Sequence, residues 1–257
     1  MHSHYCPELP TELVLLIQGH MTLPTLIAAR GVSRVWRSLI PGPHIPVARR
    51  RLLELYLQFI HSPAFLATRP AILPNLQPFN RTKLLTRLPP HIPNDFRTWV
   101  LEWPACAVLG QIWPGLIYPD RQDSPSTLHK DRGASLLYRG DTHILNGLRL
   151  DYPAPGFMET VPYSASEGRT VGPAYGCGLI LDDACVDGWQ RSRVLVLSGQ
   201  WGKIDLTGRV YQVDGVRCRV DEPFADTWVA FLRQELEREE RWLREHGGFV
   251  GKGALVG

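Results

Sequence analysis

Gly172, Gly176 and Gly178 stand close enough together to cradle a phosphate with backbone amides, the work of a glycine-rich loop at the start of a helix. Here they run into a predicted strand, and no P-loop pattern of Gly, four residues, Gly, Lys and a hydroxyl residue occurs, so nucleotide binding is not expected. Ser166 and Ser198 could serve as nucleophiles, but each lacks the full GxSxG context, and no histidine stands in a recognisable catalytic neighbourhood. Asp182, Asp183 and Asp187 offer oxygens to a hard cation without the alternating acids around a glycine that a calcium loop needs; a solvated turn after a strand is the expectation. His2, His4 and Cys6 have no further ligands in register, so that terminus is expected to be disordered. No nucleophile, base and orienting group assembles from nearby positions. Neither catalysis nor a cofactor is expected.

Charge and cysteine usage narrow the partners. Residues 1–100 carry 11 basic and 4 acidic side chains, and residues 101–257 carry 17 and 21. The run Arg49-Arg50-Arg51 precedes the apolar LLELYLQFI and is expected to decorate the solvated start of a helix, so nucleic acid is not an expected partner. Arginine outnumbers lysine 24 to 4, which reads as compositional bias. Cys6, Cys106, Cys177, Cys185 and Cys218 are widely spaced and odd in number, as reduced intracellular thiols would be. The start MHSHYC lacks the apolar core of a signal peptide, and no apolar run reaches membrane-spanning length. Cytosol or nucleus is the expected location, and no membrane association is expected.

The elements that must position any site begin with residues 9–40. Leu13, Leu16 and Ile17, then Leu23, Leu26 and Ile27, then Val32, Val35, Trp36 and Leu39 recur mostly at i, i+3 or i+4, the spacing of one helix face. Pro10 and the Thr22-Leu23-Pro24 restart suggest two or three short helices. Helices of that length are marginal alone, and their apolar side chains exceed what so small a unit can hide. An apolar face is left over for a partner.

This stretch resembles an F-box: Leu9-Pro10 with Glu12-Leu13, Ile17, Leu26, and Val32-Ser33-Arg34 with Trp36-Arg37 and Leu39, without insertion or deletion against the family pattern. The resemblance implies docking on a Skp-type adaptor that bridges to a cullin-RING ubiquitin ligase, through Leu9, Pro10, Leu13, Ile17, Leu26, Val32, Trp36 and Leu39. The chain would then be a non-catalytic substrate-recognition subunit. Met21 and Thr25 depart from the family pattern, and Gly31 is expected to interrupt the second helix at a cost of about 0.5 to 1 kcal/mol relative to Ala.

Residues 45–60 read as a further helix, completing a helical module over 1–62. Residues 63–93 carry seven prolines and read as a semi-rigid connector. A helix is predicted from Asn94-Asp95 to Pro104, and a polar loop over 120–132. Strands are predicted at 135–138, 178–181, 193–197, 210–213 and 216–220, the last two joined by a hairpin at Asp214-Gly215. Asp221-Glu222-Pro223 then opens a long helix lined by Phe224, Trp228, Phe231, Leu232, Leu236, Trp242 and Leu243, with charges opposite. A Gly-rich tail over 247–257 is expected to fray.

Three groups of segments between roughly residues 90 and 245, in the domain expected over 94–246, carry a fainter likeness: PNDFRTWVLEWP with IWPGL, then VLVLSG with GRVYQV, then EPFADTWVAFLRQEL. They resemble the SUKH superfamily of fungal Smi/Knr regulators and bacterial immunity proteins, which implies a mixed sheet with flanking helices used for protein binding. The expected class is therefore α+β: a helical F-box module, a Pro-rich connector, and a mixed domain with a mostly antiparallel sheet and a long C-terminal helix. The client it would recruit is unknown, and Trp113, Trp189 and Trp201 are candidate contacts, for which buried packing is the alternative.

Overall fold

The computed structural model describes residues 9–109, 112–116, 134–135, 144–151, 174–186, 189–214 and 217–246. The chain opens with α1 (Thr11–His20), α2 (Leu23–Ala29) and α3 (Arg34–Leu39), and continues into α4 (Val47–His61). Pro10 occupies the cap position before α1, and its carbonyl accepts from Leu13 and Val14 N–H. Ser33 caps α3 by accepting from Trp36 N–H at 3.1 Å. Gly31 lies beyond the end of α2, its N–H donating to Ala28 O, so the expected cost of a mid-helix glycine does not arise. The residues of α4 that point inward, Ala48, Leu52, Leu53, Leu55 and Phe59, keep the period of a helix with one buried face.

The expected connector over 63–93 is folded. It forms α5 (Pro63–Ile72), a 3-10 turn over Leu73–Asn75, and α6 (Arg81–Thr86), and buries Phe65, Ile72, Leu84 and Leu88. Three of its seven prolines sit at helix starts: Pro63 in the first turn of α5 behind the Ser62 cap, Pro74 second in the 3-10 turn, and Pro93 just before α7 (Asn94–Glu102), while Pro70 lies inside α5. Arg69 and Arg81 fasten this segment to α7 and to the turn after it. Arg69 donates to Cys106 O and Val108 O, and Arg81 donates to Val100 O and Leu101 O at the end of α7.

Residues 112–116 then cross the connector. Gln77 N–H donates to Gly115 O at 2.6 Å, and a Cβ on Gly115 would stand 2.3 Å from Gln77 O, so only glycine admits this approach. Trp113 meets Trp99 and Phe79 edge-on, at centroid separations of 5.1 and 5.4 Å.

The sheet is built from β1 (Ala134–Ser135), β2 (Ile144–Asp151), β3 (Ala174–Val186), β4 (Trp189–Ser198), β7 (Val210–Asp214) and β8 (Arg217–Arg219), with a two-residue ribbon of β5 (Gln200–Trp201) and β6 (Ile204–Asp205) beside it. Each of β2, β3, β4, β7 and β8 runs antiparallel to the next, and β8 pairs with β2 in parallel. The sheet is thus closed. Its one parallel pairing is a matter of parity, because a ring of five strands that alternate in direction must close between two that point the same way. Leu148, Val194, Val196, Leu206, Tyr211, Val213 and Val220 fill the interior.

Leu195 and Leu197 alternate with Val194 and Val196 and face outward into the main core, which is why β4 reads as an unbroken apolar run. Gly178 lies in β3 opposite Val196, and a Cβ there would sit 2.3 Å from Val194 Cγ1. The bulge between Asn146 and Leu148 turns β2 over, so that Ile144 meets the main core and Leu148 the barrel interior.

The long C-terminal helix α8 (Trp228–His246) starts seven residues later than Asp221, with Thr227 Oγ1 accepting from Ala230 N–H. Its Trp228 touches Phe96 and Trp99 of α7 at 4.9 Å each. One contiguous core therefore joins Leu23 and Leu26 of α2, Leu52 to Phe59 of α4, Phe65, Leu84, Phe96 to Trp113, Leu195 and Leu197 of β4, and Trp228 to Leu236. The predicted strand boundaries hold at β4 and β7 within a few residues, whereas β2 has no counterpart among the predicted strands.

Candidate functional site

α1, the start of α3 and the residues just before each leave large apolar side chains outside. Leu9, Leu13, Leu16, Ile17, Val32 and Val35 are 51, 46, 60, 40, 65 and 55 % exposed, while α1 buries only Val14 and Gln18. Scattered exposed leucines are ordinary; six within 27 residues, three of them on α1, one before it and two around the start of α3, are of the kind partners cover. Of the residues assigned to docking, Leu9, Pro10, Leu13, Ile17 and Val32 are exposed, and Trp36 and Leu39 are half-buried. Leu26 departs from the group. It is completely buried in the main core beside Leu23 and Ala29, so it supports the face from behind and offers nothing to an external partner. Leu16 and Val35, which the sequence pattern does not assign to docking, are outside instead.

Polar contacts hold the face in shape. Gln18 is fully buried, donating to Trp36 O at 3.3 Å and meeting His44 Nε2 at 3.0 Å through its side-chain oxygen, so α1, α3 and the loop before α4 share one small network. Burial pushes the His44 pKa down from 6.5. Arg37 donates to Arg30 O and ties α3 to the end of α2. Glu102, the last residue of α7, accepts from Leu23 N–H at 2.8 Å and holds Arg49 of α4 through Nε and Nη2, at 2.9 and 2.8 Å. Arg51 stands 3.6 Å from Asp95, so two residues of the arginine run pair with α7 rather than face water alone.

The other candidates separate. Asp182 and Asp183 lie within β3, paired with β1 and β4, not in a turn after a strand; Asp187 falls outside the described residues, as do Ser166 and Gly172. Ser198 is exposed at the end of β4, and Gly178 serves barrel packing. Among the described residues no group of three or more His, Cys, Asp and Glu could hold a metal ion, and no helix is long and apolar enough to cross a membrane. His2, His4 and Cys6 lie outside them. Trp113 is completely buried, which removes it as a client contact; Trp201 is half-buried, and the Trp189 side chain lies outside the described set. Glu235 is a residue that the sequence pattern does not single out. It sits on the buried face of α8 and pairs with both Arg193 of β4 and Arg238, and only its position in the apolar period of that helix could have signalled it. Searches of family models, curated proteins and solved structures return no match to the chain.

Proposed function

We propose that the chain is the substrate-recognition subunit of a cullin-RING ubiquitin ligase, docking on a Skp-type adaptor through α1–α3 and presenting a client with the barrel-containing remainder. The observation that carries the reading is the exposed row Leu9, Leu13, Leu16, Ile17, Val32 and Val35, lying on the segment whose residue pattern resembles an F-box. Each such side chain buried against a partner contributes about 1.5 to 3 kcal/mol, so a handful outweighs the cost of association. Ubiquitin transfer would be the work of other subunits, and this chain would act by proximity.

The test is co-elution of the purified full-length chain with a Skp-type adaptor at micromolar concentration, beside a reference F-box. Leu13→Asp and Val35→Asp each add a carboxylate to an already exposed position, so folding is retained while adaptor affinity falls at least about a hundredfold. A wild-type chain that fails to co-elute while the reference binds overturns the reading. Recovery of a cullin with the adaptor separates a ligase subunit from a scaffold that uses the adaptor elsewhere.

A further inference from the structure

We infer that Glu102 is a positioning residue for docking, coupling the α1–α3 face to α7 and through it to the aromatic core shared with α8. The inference rests on the adaptor-docking reading and adds a determinant 79 residues beyond the docking segment's own Leu23.

Leu23 packs the start of α2 into the core, but the first amides of the helix find few partners within it. The helix has seven residues, the Thr22 side chain makes no cap bond and instead meets Thr25 Oγ1 at 2.9 Å, and Pro24 has no N–H to give. The Glu102 carboxylate supplies the missing cap, accepting from Leu23 N–H at 2.8 Å with its negative charge at the positive end of the helix. Its position is otherwise adverse. As the last residue of α7 it faces the negative end of that helix dipole, so its charge gains from α2 and from Arg49 what it loses at home. One carboxylate thereby joins α2, α4 and α7, and it remains only slightly exposed at 14 %.

α2 in turn sets the face. Leu23 and Leu26 are its anchors in the core, and short links of two and four residues join its ends to α1 and α3, which with Leu9 and Val32 carry the exposed side chains. Without the cap the first turn of α2 frays, and the pieces of the face lose their fixed spacing. Binding a partner then carries the added cost of reordering them.

The experiment measures adaptor affinity of the full chain at 10 °C for wild type, Glu102→Gln, Glu102→Ala and a barrel control, Val196→Ala, which lowers stability without touching α2. Expected is a loss of about tenfold in Glu102→Ala, recovery to within about threefold in Glu102→Gln, which keeps an acceptor for Leu23, and no change in Val196→Ala. Affinity unchanged in Glu102→Ala, or lowered equally by Val196→Ala, overturns the inference and leaves the docking reading standing. If wild type itself does not bind, the docking reading fails instead. Should Glu102→Ala not accumulate in folded form, amide exchange of the wild-type complex decides. Adaptor binding should slow the amides of Leu23 and of the last turn of α7 together; slowing confined to α1–α3 overturns the inference.

Discussion

His44 shows what one side chain does between two elements. Its ring packs so closely on Gly42 that a Cβ there would lie 2.6 Å away, and its Nε2 meets the buried Gln18. Burial lowers its pKa below 6.5, so the folded chain disfavours a proton that the unfolded chain accepts. Stability from this site is therefore fully present above pH 6.5 and declines as the pH falls from there towards the folded pKa. Urea midpoints at pH 7.5 and 5.5 should show a smaller acid loss in His44→Gln than in wild type, and equal losses would refute the assignment. Neither the Gln18–His44 pair nor the Glu102 bridge was legible in the sequence, because their partners stand 26 and 79 residues apart and no local period links them. Leu26 was legible as apolar but not as inward, since helical spacing names a face without saying which of two faces the core takes.

At the scale of elements, α1 and α4 place their apolar side chains in opposite ways. α4 buries five side chains in the core, whereas α1 buries Val14 and Gln18 and turns Leu13, Leu16 and Ile17 outward. The α1 amides should consequently exchange by local opening at least about a hundredfold faster than those of α4, and the gap should close when a partner covers the row. Hydrogen exchange measured by mass spectrometry reads this directly, and equal protection in the free chain would mean that α1 is anchored as firmly as α4. The prolines of 63–93 misled for a physical reason. The same lack of an N–H that ends a helix also suits the first turn of the next, and the Ser62 and Asn80 caps that mark α5 and α6 are weak signals beside seven prolines. β4 was legible as a strand from its apolar run, but which side chains faced which core was not, because burial on both faces erases the two-residue period.

For the whole molecule, the mixed class with helices first, a mostly antiparallel sheet and a terminal helix was readable from the sequence, while closure of the sheet and the sharing of one core were not. Sharing has a testable result. A fragment of residues 1–62 should not hold its helices, since Leu52, Leu55 and Phe59 would lose Trp103, Phe65 and α8 as cover, and the full chain should melt in one transition. Circular dichroism of the fragment checks it, and a cooperative melt of 1–62 alone would contradict it. The contact of Trp228 with Phe96 and Trp99 also sets an order of events during synthesis. α1–α4 leave the ribosome well before α8, so the ring cluster beneath them lacks Trp228 until about 170 residues beyond the end of α4 have been made. For that interval the nascent chain carries apolar surface on both its outer and its inner side, and a truncation anywhere before α8 would leave it in that state permanently.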